Sequence, residues 1–334
     1  MLLILLTLAC TSLARAEPLR LATWAESFSR RGPGLLLRDI GSGEDPQILA
    51  AVALIDSVAP DVLLLTEFDY DAEGRALAAF AAAFGERFPH HYAGRPNSGR
   101  ASGADLDRNG ALGEPRDAWG YGRFAGDGGL ALLSRYPIRA EAIRELTGLP
   151  WAALPDAVFP QGPDGPFWPA EVEAAIPVSS RAHWIVPLVL PDGRGFDLLA
   201  FGATPPIYDG AEDANGLRNA AELSVWTAAL DGGLAGLDWV PDARFAVIGN
   251  ANLDPARGQG QRQAMAAMLR RPDLRDPLPG QPTAVWPDGP GGLRLSYILP
   301  SAAVTLRAAG IEEGENREAL GPHRLVWVEV DVPP

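Results

Sequence analysis

Apolar residues along this chain gather into short runs separated by Gly, Pro and Asp. The runs are LRLATW (19–24), DVLLLTEF (61–68), GGLALLSRY (128–136), HWIVPLVL (183–190), FDLLAFGA (196–203), RFAVIGN (244–250), LRLSYILP (293–300) and HRLVWVEV (323–330). They are rich in Leu, Val and Ile, which predicts buried strands. Helical spacing fills some of the gaps. Over 45–60, Asp45 is a candidate N-cap, Pro46 sits in the first turn, and Ile48, Val52 and Ile55 share one face. Segments 73–88 and 217–230 are also helix-like, the latter with a Leu223, Trp226, Leu230 stripe, and 260–270 predicts a shorter helix.

Two long segments show neither period. Residues 92–127 are Gly- and Asp-rich, and residues 148–182 are Pro-rich and carry Trp151 and Trp168. Loops of this length inside a compact domain are usually functional. No internal repeat or linker is visible. Strands and helices alternate early, and the later strands come in pairs. The pattern predicts one α/β domain, with two mixed β-sheets packed face to face and helices outside, a four-layer α/β sandwich.

Composition changes this picture at the N-terminus. The apolar run LLILLTLACTSL precedes Ala14-Arg15-Ala16, a small-x-small cleavage pattern before Glu17. The reading is a signal peptide over residues 1–16, a mature domain over 17–334, and a periplasmic or secreted location. A rival is lipidation at Cys10, for which Thr7 is a poor match. The run is too short to span a bilayer comfortably, so no transmembrane span is expected after cleavage. Cleavage would remove the only cysteine, leaving no disulfide, no thiolate nucleophile and no Cys metal site. Losing Arg15 would also move the net charge from −14 to −15. Such acidity disfavours nucleic acid as a partner, and an anionic small molecule would need help from metal or arginine.

The strand ends carry the chemistry. TEFD (66–69), TPPIYDG (204–210), DANGLRN (213–219), GNANLDP (249–255), SYILPS (296–301) and GPHRLVWVEV (321–330) occur in an order that resembles the endonuclease/exonuclease/phosphatase superfamily. The resemblance runs from about residue 19 to 331. It is nearest a secreted bacterial branch with LDRNGALGEPRDAWGYGRFAG (106–126), LLSRYPI (132–138), SSRAHW (179–184), TPP (204–206) and HRLVWV (323–328). It implies a two-sheet sandwich that hydrolyses phosphoesters with Mg²⁺. In that chemistry a carboxylate and an amide hold the metal, an aspartate activates water, and a histidine stabilises developing charge.

Carried over residue by residue, the resemblance leaves Glu67 as the Mg²⁺ candidate, with Asn252 and His323 retained. The expected metal-binding asparagine falls on Ala25, a histidine on Gly202, and the general base on Asn250. Two further aspartates fall on Ser296 and Pro322. Gly249, Asp254 and Pro255 keep the motif in register. An amide at position 250 accepts a hydrogen bond but takes no proton near neutral pH, and losing such a base removes on the order of 10²–10⁴ in rate. Asn250, Asn252 and His323 therefore read as a vestigial or weak catalytic set, in a pseudoenzyme that keeps a binding or scaffold role. Tyr121 and Arg123 are substrate-contact candidates for a small-molecule phosphoester or a surface partner. Arg135 and Arg218 also match the family pattern and read as loop-holding residues.

Two rival functions follow. One is an active Mg²⁺-dependent phosphoester hydrolase using Glu67, Asn252 and His323. The other is a carbohydrate- or polymer-binding protein using Trp151 and Trp168. Separately, Asp105, Asp107, Asn109 and Gly110 have the D-x-D-x-N-G opening of a calcium loop. The twelfth position is Arg116, which excludes an EF-hand, so Glu114 or Asp117 would have to close a structural Ca²⁺ site.

Overall fold

The computed structural model describes residues 18–333; the candidate signal segment and Cys10 lie outside them. The larger elements run in chain order as β1 (Leu19–Trp24), α1 (Leu35–Ser42), α2 (Pro46–Val58), β2 (Val62–Phe68), α3 (Arg75–Ala82), β3 (His90–Tyr92), β4 (Gly129–Ser134) and β5 (Arg144–Glu145). A small hairpin follows, β6 (Gln161–Gly162) and β7 (Gly165–Pro166), then α4 (Ala170–Ala175), β8 (Ala182–Val189), β9 (Gly195–Gly202), α5 (Ala214–Leu230) and β10 (Phe245–Asn250). The chain ends with α6 (Gln263–Leu269), β11 (Ala284–Trp286), β12 (Gly291–Leu293), β13 (Ser296–Pro300), β14 (Thr305–Glu312) and β15 (Leu325–Asp331).

Two sheets dominate, ordered β14-β15-β1-β2-β4-β3 and β13-β10-β9-β8-β5. Each mixes parallel and antiparallel pairing: β1 runs parallel to β2 but antiparallel to β15, and β10 runs parallel to β9 but antiparallel to β13. Alternate residues of the central strands serve different layers, as a period of two requires. Leu21, Leu64 and Val328 meet Val186, Leu198 and Ile248 between the sheets. On the far side of the first sheet, Leu63, Leu65 and Leu133 pack under α2 and α3 with Ile55 and Phe80. On the far side of the second, Leu199, Phe201 and Val247 pack under α5 with Leu223 and Trp226. The predicted four-layer sandwich is the observed one, and each fully buried aliphatic side chain contributes about 1.5–3 kcal/mol.

Local chemistry agrees with most of the predicted boundaries. The Asp45 side chain caps α2 by accepting from the Ile48 amide at 2.9 Å. The 293–300 run is broken, however. Its first residue, Leu293, belongs to the β11–β12 hairpin, and Arg294 turns inward onto Asp276 before β13 joins the sheet. Strand β14 was not predicted, because TLRAAGIE lies at a sheet edge, only partly buried, and has no strong apolar run. Helix α1 and the short α4 also escaped the apolar periodicity, the latter inside the segment expected to be irregular.

Two features here are testable. Gly249 has φ 153°, and a Cβ there would lie 1.9 Å from the Phe201 carbonyl oxygen of the neighbouring strand. Gly249→Ala should therefore cost about 3 kcal/mol in denaturant unfolding; a cost below about 1 kcal/mol would show that β9 and β10 are not this close. His183 is fully buried between Ser179 and the Glu222 carbonyl, and burial lowers its pKa from 6.5 to about 4. The unfolded chain then binds the extra proton between about pH 4 and 6.5, so His183 stabilises the fold above that window and the benefit is lost on acidification. An NMR titration should place the ring's midpoint near 4, and a midpoint near 6.5 would contradict the burial.

Candidate functional site

The polar strand ends meet at one end of the sandwich. In the second sheet, Asn250 closes β10, paired in register with Gly202 of β9 and Ser296 of β13. In the first, Glu67 lies one residue before the end of β2. The segment before β15 brings His323 alongside: its backbone bridges to Ala284, and its carbonyl accepts from Trp24 Nε1 at 3.0 Å. The segment before β8 supplies Arg181. Asn97 holds that segment, its amide N–H donating to the Arg181 carbonyl and its side-chain Nδ2 to the Ser179 carbonyl.

Helix α5 fixes the same segment from the other side. The buried Arg218 donates to the carbonyls of residues 177, 178 and 179, and Glu222 accepts from Ser180 and from the Thr204 amide. Burial brings the Arg218 pKa down to about 10 and raises that of Glu222, whose charged form Arg218 favours. Arg218 is thus a loop clamp, and Arg135 similarly pairs with Asp61 at 3.0 Å.

So placed, the Arg181 guanidinium reaches the carboxylate of Glu67. Its Nη2 lies 2.9 Å from Glu67 Oε1, while Nη1 donates to the carbonyls of Thr66 at 2.9 Å and Gly128 at 3.0 Å. The arginine stem runs past Gly202, where a Cβ would come within 3.2 Å of Arg181 Cδ and 3.1 Å of a Leu130 methyl. His323 stands near both charges. Burial pushes its pKa down, Glu67 opposes that shift, and Arg181 adds to it, so the ring is neutral at pH 7. Its Nδ1 is buried without a partner, as is the Ser296 hydroxyl.

The two asparagines engage each other. Asn250 Nδ2 donates to Asn252 Oδ1 at 3.1 Å, the Asn252 amide donates back to Asn250 Oδ1 at 3.1 Å, and Asn252 Nδ2 donates to the Ala203 carbonyl. Asn252 has φ 50°, a left-handed turn conformation that asparagine tolerates. The expected general-base position is therefore held by an amide locked into a turn. A Mg²⁺ ion requires near-octahedral oxygen coordination at about 2.0–2.1 Å. Ala25 and Gly202 offer no side-chain oxygen, and one oxygen of Glu67 already accepts from a guanidinium. The residues here do not fit a magnesium ion.

A cleft of about 970 Å³ opens beside this site and shares Arg181 with it. Tyr121 and Tyr208 stand exposed on its walls, with Phe167 and Trp168 behind them. Arg123 is not among its lining; its guanidinium is held by Asp127 at 2.9 Å. Trp151 is fully buried in the core against Trp168 and Phe159. Of the two tryptophans singled out for a binding loop, only Trp168 reaches the cleft, and it too is largely buried.

The D-x-D-x-N-G segment forms a compact turn. Oxygens of Asp105, Asp107 and Asp117 lie within 4.8 Å of one another. The Asn109 and Gly110 amides donate to Asp105, whereas Glu114 turns to the Asn109 side chain. Asp117, rather than Glu114, is thus the third carboxylate of this cluster.

Sequence reasoning missed Arg181 and Glu26. The buried Glu26 accepts from the Gly321 amide and from Gln47 and so anchors the His323 segment; burial raises its pKa. Arg181 lay inside the quoted SSRAHW motif, but nothing local showed that it would meet Glu67; the glycine at 202, where a histidine was expected, was a further indirect signal.

No curated protein matches this chain. Among solved structures, it is similar to an endonuclease/exonuclease/phosphatase protein from Beutenbergia cavernae (20% identity, TM-score 0.57, covering 95% of this chain and 72% of that one). It is also similar to a mannosyl-6-phosphatase from Bacteroides thetaiotaomicron (14% identity, TM-score 0.51, covering 93% and 99%). The human Nocturnin catalytic domain is a further match (13% identity, TM-score 0.51, covering 96% and 95%). These likenesses are of fold. A family model described as the endonuclease/exonuclease/phosphatase family matches residues 38–316. With this match and the sandwich described above, the chain belongs to the endonuclease/exonuclease/phosphatase family, whose members generally depend on divalent metal.

Proposed function

We propose that this chain is an exported, catalytically silent member of its family that works by binding. The observation that carries this reading is the Asn250–Asn252 amide pair at the tip of β10. An amide so engaged removes no proton from water. Ala25, Gly202 and Pro322 deplete the surrounding shell, and such losses act as a unit rather than adding. The open cleft with Tyr121 and Tyr208 supports a binding role for a small molecule or a surface partner. Export rests on the apolar segment and Ala-x-Ala pattern of residues 1–16. Among the described residues no helix is long and apolar enough to cross a membrane.

The test is a hydrolysis screen of the mature protein with generic phosphomonoesters and phosphodiesters, in Mg²⁺, Mn²⁺ and Ca²⁺. The parent should show no turnover above buffer, and Asn250→Asp should recover none, because the metal shell is also lost. Brisk cleavage that disappears in Glu67→Gln would overturn the reading and make the chain a working hydrolase.

The Asp105, Asp107 and Asp117 oxygens are where a structural Ca²⁺ would be held. Three carboxylates this close repel one another until a cation neutralises them. Millimolar Ca²⁺ should raise the melting temperature of the parent by a few degrees and leave Asp105→Asn unmoved. The same rise in both proteins, or none in either, would remove calcium from the account.

A further inference from the structure

We propose that Arg181 is a resident cation: its guanidinium stands in for the divalent metal at Glu67 and keeps metal out. The inference goes beyond the loss of catalysis, since a chain can lack a base and still bind an ion. Three observations point the same way. Arg181 supplies positive charge directly to Glu67, with Nη2 at 2.9 Å from Oε1. It is immobilised by two main-chain carbonyls, Thr66 and Gly128, one of them from the residue preceding Glu67. Its stem also occupies space that any side chain at 202 would claim, because even a Cβ there would press on Arg181 Cδ at 3.2 Å. Glycine at 202 and arginine at 181 are therefore complementary.

The physical logic is charge balance. The side chains of Glu67 and Arg181 are only 22% and 19% exposed, so a carboxylate here needs a partner cation. A divalent ion would also meet the repulsion of the fixed guanidinium, and the carboxylate nearest to Glu67, that of Glu26, is already taken up by the Gly321 amide and Gln47. The guanidinium holds its place through the folded chain, so charge neutrality at Glu67 does not depend on ambient metal.

The test is a four-protein set made of the parent, Glu67→Gln, Arg181→Gln and the double variant. Each is melted with and without 10 mM Mn²⁺, as a roughly saturating concentration for a weak site. The quantity read is the Mn²⁺-induced shift of each protein minus that of its Glu67→Gln counterpart, which removes any contribution from the Asp105 turn. The expected difference is under about 1 °C for the parent and about 3 °C or more for Arg181→Gln, where the freed carboxylate takes up the ion. A Glu67-dependent shift in the parent as large as in Arg181→Gln overturns the proposal. No Glu67-dependent shift in Arg181→Gln overturns it too. Should Arg181→Gln not fold, electron paramagnetic resonance of Mn²⁺ with the parent and Glu67→Gln decides. Equal free-ion signals support the resident cation, and depletion by the parent alone overturns it. Hydrolysis is not the readout, so this proposal and the silence of the site fail separately.

Discussion

The constraint on which this molecule depends is that its central strands are covered on both faces. Between the sheets Leu64, Leu198 and Ile248 are fully buried, and on the outer faces Leu63, Leu199 and Val247 are buried as well. Interior strand positions therefore leave little room for charge, since an unpaired buried charge costs several kcal/mol. Polar chemistry is pushed to the strand ends, where loops bring hydrogen-bond partners. Glu67, Asn250, Ser296 and His323 are found there for that reason.

Once confined to the strand ends, each polar group must be balanced locally. The chain does this with its own side chains and main-chain groups. Glu67 is neutralised by Arg181, Asn250 is satisfied by Asn252, and Glu26 accepts from Gly321 and Gln47. The buried pair Arg218 and Glu222 on α5 ties down residues 177–180 and so holds the backbone that leads into Arg181. A helix in the outer layer thus positions the charge at the strand ends, through hydrogen bonds rather than direct contact. Among the buried polar atoms without a partner, His323 Nδ1, the Ser296 hydroxyl and the Thr66 hydroxyl belong to these strand ends.

The adjoining cleft has a different character. Its exposed tyrosines come from separate segments, Tyr121 from the Gly-rich stretch and Tyr208 from the turn after β9. Tyr208 holds φ 74°, an uncommon conformation for a bulky residue, and remains 74% exposed. A strained, exposed aromatic on a cleft wall is the kind of feature that clusters at ligand sites.

By itself the sequence determined the layers and the gaps in the chemistry. Runs such as DVLLLTEF and RFAVIGN are apolar on both strand faces, which demands cover on both sides, and Asn250 is an amide in any fold. Alternation and residue type are local properties, so they are legible without a structure. The edge strand β14 was not, because partial burial leaves a weak pattern. Only the tertiary structure decided that Asp117 rather than Glu114 joins Asp105 and Asp107, that Trp151 is core, and that Arg181 pairs with Glu67. Those outcomes depend on which segments meet in space: Arg181 and Glu67 are 114 residues apart, and no periodicity encodes that the space left open at Gly202 is filled by an arginine from a neighbouring strand's approach.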